Sequence, residues 1–185
     1  VIVFLRSQMA KITLILGGAR SGKSALACQL AAQSGLAVTY IATATARDAE
    51  MATRIQHHQQ ERPADWQLVE APVALAQAIA AHAGDGRCLL VDCLTLWLTN
   101  LLHDADGQPQ PDTLLSEHFL ALEQALEQAA GTIVLVSNEV GLGIIPLGEL
   151  TRRFVDEAGR LNQRLARLAD HVFFVAAGLP LTLKG

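Results

Sequence analysis

Short apolar runs alternate along the chain with longer stretches whose apolar residues recur every three to four positions. ITLIL (12–16), VTYIA (38–42), WQLVE (66–70), CLLVD (88–92), TIVLVS (132–137) and HVFFVA (171–176) read as strands, most of them apolar enough to be covered on both faces. The stretches between them predict helices at about 22–34, 46–61, 72–82, 94–103, 113–130 and 148–169. Strand and helix in strict alternation imply βαβ units, hence an α/β fold with a mostly parallel sheet flanked by helices. LTLK near the end offers an antiparallel edge strand, and HDADGQPQPD (103–112), rich in Gly, Pro and Asp, is the one long loop the pattern predicts.

Composition narrows this to one domain. The 185 residues are 51% apolar, enough for a single core, and no internal repeat or linker divides them. Residues 9–185 form the expected domain; residues 1–8, VIVFLRSQ, precede Met9 and read as a non-native or disordered extension. No run approaches the roughly 18 to 20 apolar residues of a membrane span. The net charge is -4 with no basic tract, which favours small-molecule partners over nucleic acid. Cys28, Cys88 and Cys93 form no CxxC pair and sit in apolar segments, as expected of buried thiols in the cytoplasm.

The strongest chemical signal is GGARSGKS, Gly17 to Ser24, between the first strand and the first helix. It matches G-x-x-x-x-G-K-[ST] with both flanking elements in place. Gly17, Gly18, Ala19, Arg20, Ser21 and Gly22 would wrap phosphate with backbone N–H groups at a helix N-terminus, Lys23 would reach the outer phosphates, and Ser24 would offer a hydroxyl to Mg2+. The domain therefore reads as a single P-loop NTPase of the RecA-like kind. Asp92, at the C-terminal end of CLLVD, is the expected second Mg2+ ligand; its competing reading is a cap for the helix that follows. SNEVGLGIIP (137–146) brings Asn138 and Glu139 to the same sheet edge, with Gly141 and Gly143 loosening the loop, and reads as a substrate or interface segment. Arg152, Arg153, Arg160, Arg164 and Arg167 on the last helix read mostly as a solvated or subunit-facing surface.

RIQHHQQERP (54–63) is the puzzle, because phosphoryl transfer needs cations and a metal and has no obvious use for imidazole. A helix opening near Thr45 and Asp48 places Met51, Ile55, His58 and Arg62 within about 60° of one another, with Arg54 one turn before His58. His57 turns about 100° away towards the polar side. Guanidinium groups a turn before and after His58 would bind phosphate and keep the imidazole neutral and nucleophilic. Spacing alone leaves His58 open between catalysis and packing.

Taken together, GGARSGKS, YIATA, MATRIQHHQQERP, the strand ends at Glu70 and Asp92, SNEVGLGIIP and AGRLNQRLARLADHVFFVAAGLP resemble the bifunctional adenosylcobinamide kinase / adenosylcobinamide-phosphate guanylyltransferase family of cobalamin biosynthesis. The resemblance runs from about Lys11 to the C-terminus. It implies that an NTP, GTP or ATP, phosphorylates the aminopropanol hydroxyl of adenosylcobinamide. GTP then donates GMP through a GMP-histidine intermediate, giving adenosylcobinamide-GDP and pyrophosphate. By resemblance the guanylylated residue falls on His58, and the nucleotide contacts fall on Gly17 to Ser24, Ala42, Thr43, Ala44, Gln59, Gln60, Glu61, Arg62, Glu70 and Asp92. It also implies a homotrimer with sites near subunit boundaries.

Three other readings compete. A monofunctional P-loop kinase would share Lys23 and Asp92 and form no covalent adduct. A GTPase switch would want an N-K-x-D motif, whereas Asn138 is followed by Glu139 and Val140. A RecA-like ATPase acting on nucleic acid would suit the fold but not the acidic charge.

Overall fold

The computed structural model describes residues 9–45, 63–103 and 107–185. The extension expected at 1–8 and the helix expected at 46–61 lie outside them. The elements are β1 (Lys11–Gly17), α1 (Lys23–Gln33), β2 (Ala37–Ala42), β3 (Gln67–Glu70), α2 (Leu75–His82), β4 (Arg87–Asp92), α3 (Leu94–Leu102), α4 (Asp112–Gln128), β5 (Thr132–Asn138), α5 (Glu149–Leu168), β6 (His171–Ala176) and β7 (Leu179–Lys184).

The seven strands form one sheet in the order β3-β2-β4-β5-β1-β6-β7. Every neighbouring pair is parallel except β6 with β7, so the expected antiparallel edge strand is present. It is longer than LTLK because Ala177 and Gly178, at φ 52° and 78°, turn the chain in two residues. Such positive-φ turns match the twist of a hairpin and start β7 directly at Leu179.

Side chains of the central strands alternate between two cores. Ile12, Leu14, Leu16, Leu89, Val91, Ile133 and Leu135 face α2 to α5, where Trp97, Leu98, Phe119, Leu122, Leu161 and Leu165 are buried. Ile15, Leu90, Val134, Val136 and Val175 face α1, whose Ala27 and Ala31 let it lie close to the sheet. Both faces are therefore apolar, as a covered parallel sheet requires. Cys88 and Cys93 are buried as expected; Cys28, on α1, is only half-buried.

Two helix boundaries moved for visible reasons. α2 begins at Leu75 and not at Pro72, because the carbonyls of Pro72 and Val73 accept hydrogen bonds from Asn100 Nδ2 at 3.0 Å and Trp97 Nε1 at 2.9 Å. α4 stops at Gln128 because the Ala129 carbonyl accepts the Ala10 amide at 2.9 Å, which ties the helix end to the entry of β1.

Gly131 makes the turn from α4 into β5 at φ 90°, and a Cβ there would stand 2.3 Å from the Gly84 carbonyl oxygen and 2.7 Å from that of Arg87. Both obstacles are backbone. Gly131→Ala is expected to destabilise the fold by about 2 to 4 kcal/mol, combining left-handed strain with overpacking, read as a lower midpoint in urea at unchanged slope.

Candidate active site

The P-loop leaves β1 at the C-terminal edge of the sheet and is held by the strands on both sides. The Gly17 carbonyl accepts the Glu139 amide at 3.1 Å from the end of β5, and the Ser21 carbonyl accepts the Gly178 amide at 2.8 Å from the β6–β7 turn. A Cβ at Gly17 would lie 2.5 Å from the Val175 carbonyl oxygen and 2.6 Å from Ser21 Oγ. Gly22 sits at φ 95° with Gly178 Cα 3.0 Å from where its Cβ would be. The two outer glycines of the motif are thus required by close backbone approach and, at Gly22, by conformation. Arg20, at φ 57°, takes the left-handed conformation between them.

Lys23 opens α1 with its side chain folded back over the loop, Nζ donating to the Gly18 carbonyl at 3.1 Å. It is only 8% exposed. Burial pushes its ammonium below the ordinary lysine value, and the Asp92 carboxylate opposes that shift. Cys93 also lies close enough to favour the charged lysine, but only as a thiolate. Burial pushes the Cys93 thiol up, so it stays neutral and Asp92 is the effective counter-charge.

Asp92 ends β4 half-buried, and its Oδ2 accepts the Tyr40 hydroxyl at 3.0 Å. It does not cap α3, whose N-cap is Cys93 with no side-chain bond, so the capping alternative falls. The next residue is clamped to β2: Thr43 Oγ1 accepts the Cys93 amide at 2.9 Å and donates to the Cys93 carbonyl at 2.7 Å. Thr43 is fully buried, and its own carbonyl accepts Asn100 Nδ2 at 2.8 Å. Cys93 Sγ meets Thr95 Oγ1 at 3.1 Å, and Thr95 Oγ1 accepts Asn138 Nδ2 at 2.7 Å. A polar chain therefore links the ends of β2, β4 and β5 behind the P-loop.

The structure brings together Gly17 to Ser24, Ala42, Thr43 and Asp92 at one sheet edge. Ala44 follows Thr43 half-buried, and Ser24 is half-buried in the first turn of α1. Glu70 ends β3 opposite Ala42, exposed, two strands beyond Asp92; α2 is capped by Ala74, so Glu70 is no cap either. His57, His58 and Gln59, Gln60, Glu61 and Arg62 lie outside the described residues. Four of the α5 arginines are engaged elsewhere. Arg164 makes two bonds to Glu123 at 2.7 and 2.5 Å, Arg160 pairs with Glu157, Arg153 with Asp112, and Arg152 bonds the carbonyls of Pro146 and Leu147.

The cobinamide kinase / cobinamide phosphate guanyltransferase family profile matches residues 13–183. The chain belongs to that family. It is 59% identical to the bifunctional adenosylcobalamin biosynthesis protein CobP of Pseudomonas aeruginosa, over 93% of this chain and 96% of that protein. It is 41% identical to the bifunctional CobU of Escherichia coli, over 92% and 98% of the two chains. Among solved structures it resembles an ATPase of a bacterial type III secretion system, with TM-score 0.55 and 10% identity over 94% of this chain and 58% of that one. A protein from Pyrococcus horikoshii gives TM-score 0.56 and 9% identity over 95% and 86%. These distant likenesses show the fold alone.

Within this family member, Tyr40, Thr95, Asn100 and Gly178 are site-building residues that the sequence did not single out. Nothing about a tyrosine inside an apolar strand signals that it will hold the Asp92 carboxylate, and Gly178 is recognisable only as a turn.

Lys23 gives a direct test of the electrostatics. Its pKa is lowered on folding, so the charged lysine opposes folding at neutral pH, and that cost fades as pH rises through the lowered value. Lys23→Met is expected to melt above the wild type without nucleotide, with the gap narrowing at alkaline pH, and to lose the nucleotide-induced rise in Tm. A variant less stable than wild type at neutral pH would contradict this account.

Proposed function

We infer that this chain catalyses both reactions of its family: phosphorylation of adenosylcobinamide by an NTP and transfer of GMP from GTP to the resulting phosphate. The observation that carries the reading is a P-loop held ready, with Lys23 folded over it and the Asp92 carboxylate near enough to favour the charged lysine, in a chain collinear with a bifunctional relative over 96% of that relative's length. A GTPase switch or a nucleic-acid motor would share the loop but not that relationship.

The loop amides and Lys23 bind the phosphates and stabilise charge on the leaving group. Ser24 and Asp92 are the residues that would hold Mg2+. Among the described residues no group of three His, Cys, Asp or Glu forms a metal cage. That suits an ion which takes one or two hard oxygens from protein and the rest from phosphate and water. When bound, Mg2+ neutralises charge on the phosphoryl oxygens. Asp92 is kept in place for this by Tyr40 and by the clamp on Cys93.

For the second reaction His58 is the proposed nucleophile, supported by its position between Arg54 and Arg62 and by the family resemblance. Its lone pair forms a P–N bond to the α-phosphorus of GTP as the bond to pyrophosphate breaks. Gln59 to Arg62, Ala42 to Ala44 and Glu70 complete the nucleotide contacts on this reading. We place the enzyme in the cytoplasm, as a single catalytic domain over residues 9–185 assembled as a homotrimer. The apolar loop after β5 supports assembly: Leu142, Ile144, Ile145 and Leu147 are 77 to 97% exposed, and Leu179, Leu181 and Leu183 of β7 are 57 to 73% exposed.

Incubation with GTP labelled at the α-phosphate, then denaturation, should leave an acid-labile, alkali-stable label that His58→Ala loses and His57→Ala keeps. An active wild type without label would overturn the covalent mechanism. Ile144→Asp is expected to shift the assembly towards monomer in light scattering; an unchanged mass would remove the loop from the interface.

A further inference from the structure

Transfer of a phosphoryl group to an alcohol leaves a proton to be placed, and none of the residues assigned above takes it. Lys23 and Asp92 are committed to the phosphates and to the metal. From the end of β5, which lies beside β1 and between it and β4, we propose that Glu139 accepts the proton of the substrate hydroxyl in the kinase step, and that Gly141 positions its carboxylate. The proposal rests on the kinase reading.

The strand order does most of the selection. Three carboxylates stand at or directly after the C-terminal ends of described strands: Glu70 on β3, Asp92 on β4 and Glu139 after β5. At about 4.8 Å between strands, Glu70 is four strands, roughly 19 Å, from the P-loop strand, whereas Glu139 is one strand away. Glu139 is also tied to the loop itself, since its amide donates to the Gly17 carbonyl at 3.1 Å. A residue fixed there lies between the P-loop and the strand of Asp92.

Its side chain is oriented. Oε1 accepts the Gly141 amide at 2.6 Å, which holds one oxygen and leaves Oε2 to meet an incoming hydroxyl. A Cβ at Gly141 would stand 3.0 Å from that same Oε1, tighter than ordinary contact. Gly141 takes no positive φ, and an added Cβ there would press on the tip of this carboxylate and shift it. In the step, the hydroxyl O–H breaks and its proton goes to Glu139. The alcohol oxygen bonds to the γ-phosphorus, the bond to the β-phosphate oxygen breaks, and NDP leaves. Glu139 returns the proton to solvent.

The test measures both half-reactions on the full chain: γ-phosphate transfer from NTP to adenosylcobinamide across pH, and GMP labelling from GTP without corrinoid. A neutral imidazole needs no base, so the second is an internal control. Glu139→Gln is expected to lower kcat for phosphorylation by about 100- to 10,000-fold, to erase the acid limb of its pH profile, and to leave nucleotide KM and GMP labelling within twofold. Glu139→Asp should recover part of the rate, and Gly141→Ala should lower kcat with the acid limb kept. Wild-type kinase rate in Glu139→Gln, or an equal fall in both half-reactions, overturns the assignment. Wild-type protein that takes the GMP label but phosphorylates no corrinoid overturns the kinase reading, and this one with it.

Discussion

The active edge of this molecule depends on how closely the P-loop backbone approaches the strands beside β1. Gly17 has no room for a side chain against the Val175 carbonyl, and Gly22 is pressed against Gly178. The loop is therefore pinned from both sides, to Glu139 through its first residue and to the β6–β7 turn through Ser21. Its amides are oriented before any phosphate arrives, which is what makes fixed dipoles effective on charge that develops during reaction. The parallel sheet supplies the setting, because only its C-terminal edge gathers the ends of β1, β2, β4 and β5 side by side.

That arrangement has an electrostatic cost inside the same site. Lys23 is charged and largely out of water, with Asp92 its effective counter-charge and the Gly18 carbonyl its hydrogen-bond partner. The pair is supported from behind by neutral groups: the Tyr40 hydroxyl on Asp92, and the Thr43 hydroxyl satisfying both polar atoms of the Cys93 backbone. Neutral support is the cheaper solution here, since a second cation beside Lys23 would raise the desolvation burden while a second anion would compete with the phosphates. Arg152, Arg153, Arg160 and Arg164 of α5 fit this logic, being spent on Glu123, Glu157, Asp112 and backbone carbonyls.

What could be read from the sequence was local. The six strands, the two-faced sheet and the P-loop between β1 and α1 each follow from a few adjacent residues whose pattern admits one structure. Asp92 was legible because a carboxylate ending a buried strand has few other uses. Contacts that join distant segments were not: Tyr40 to Asp92, Thr43 to Cys93 and Asn138 to Thr95 depend on strand order, which periodicity does not encode. The early start predicted for α2 failed for the same reason, since Trp97 and Asn100 on α3 hold the backbone before Leu75. The reading of His58 comes from the expected helical spacing and the family resemblance, its segment lying outside the described residues.

On the proposed reading one P-loop serves two transfers, which raises the question of how a single set of phosphate contacts accepts two unlike nucleophiles. An alcohol has a high pKa and attacks well only as its proton departs, so it requires a base near the γ-phosphate. A neutral imidazole already carries its lone pair and requires only to be kept unprotonated and aimed at the α-phosphorus. On the proposed reading the division of labour follows from that difference: a carboxylate tied to the sheet edge suits the alcohol, and a histidine suits the second attack. On this reading the fold needs one phosphate cradle for both reactions, and the choice between them falls to which nucleophile occupies the space beside it.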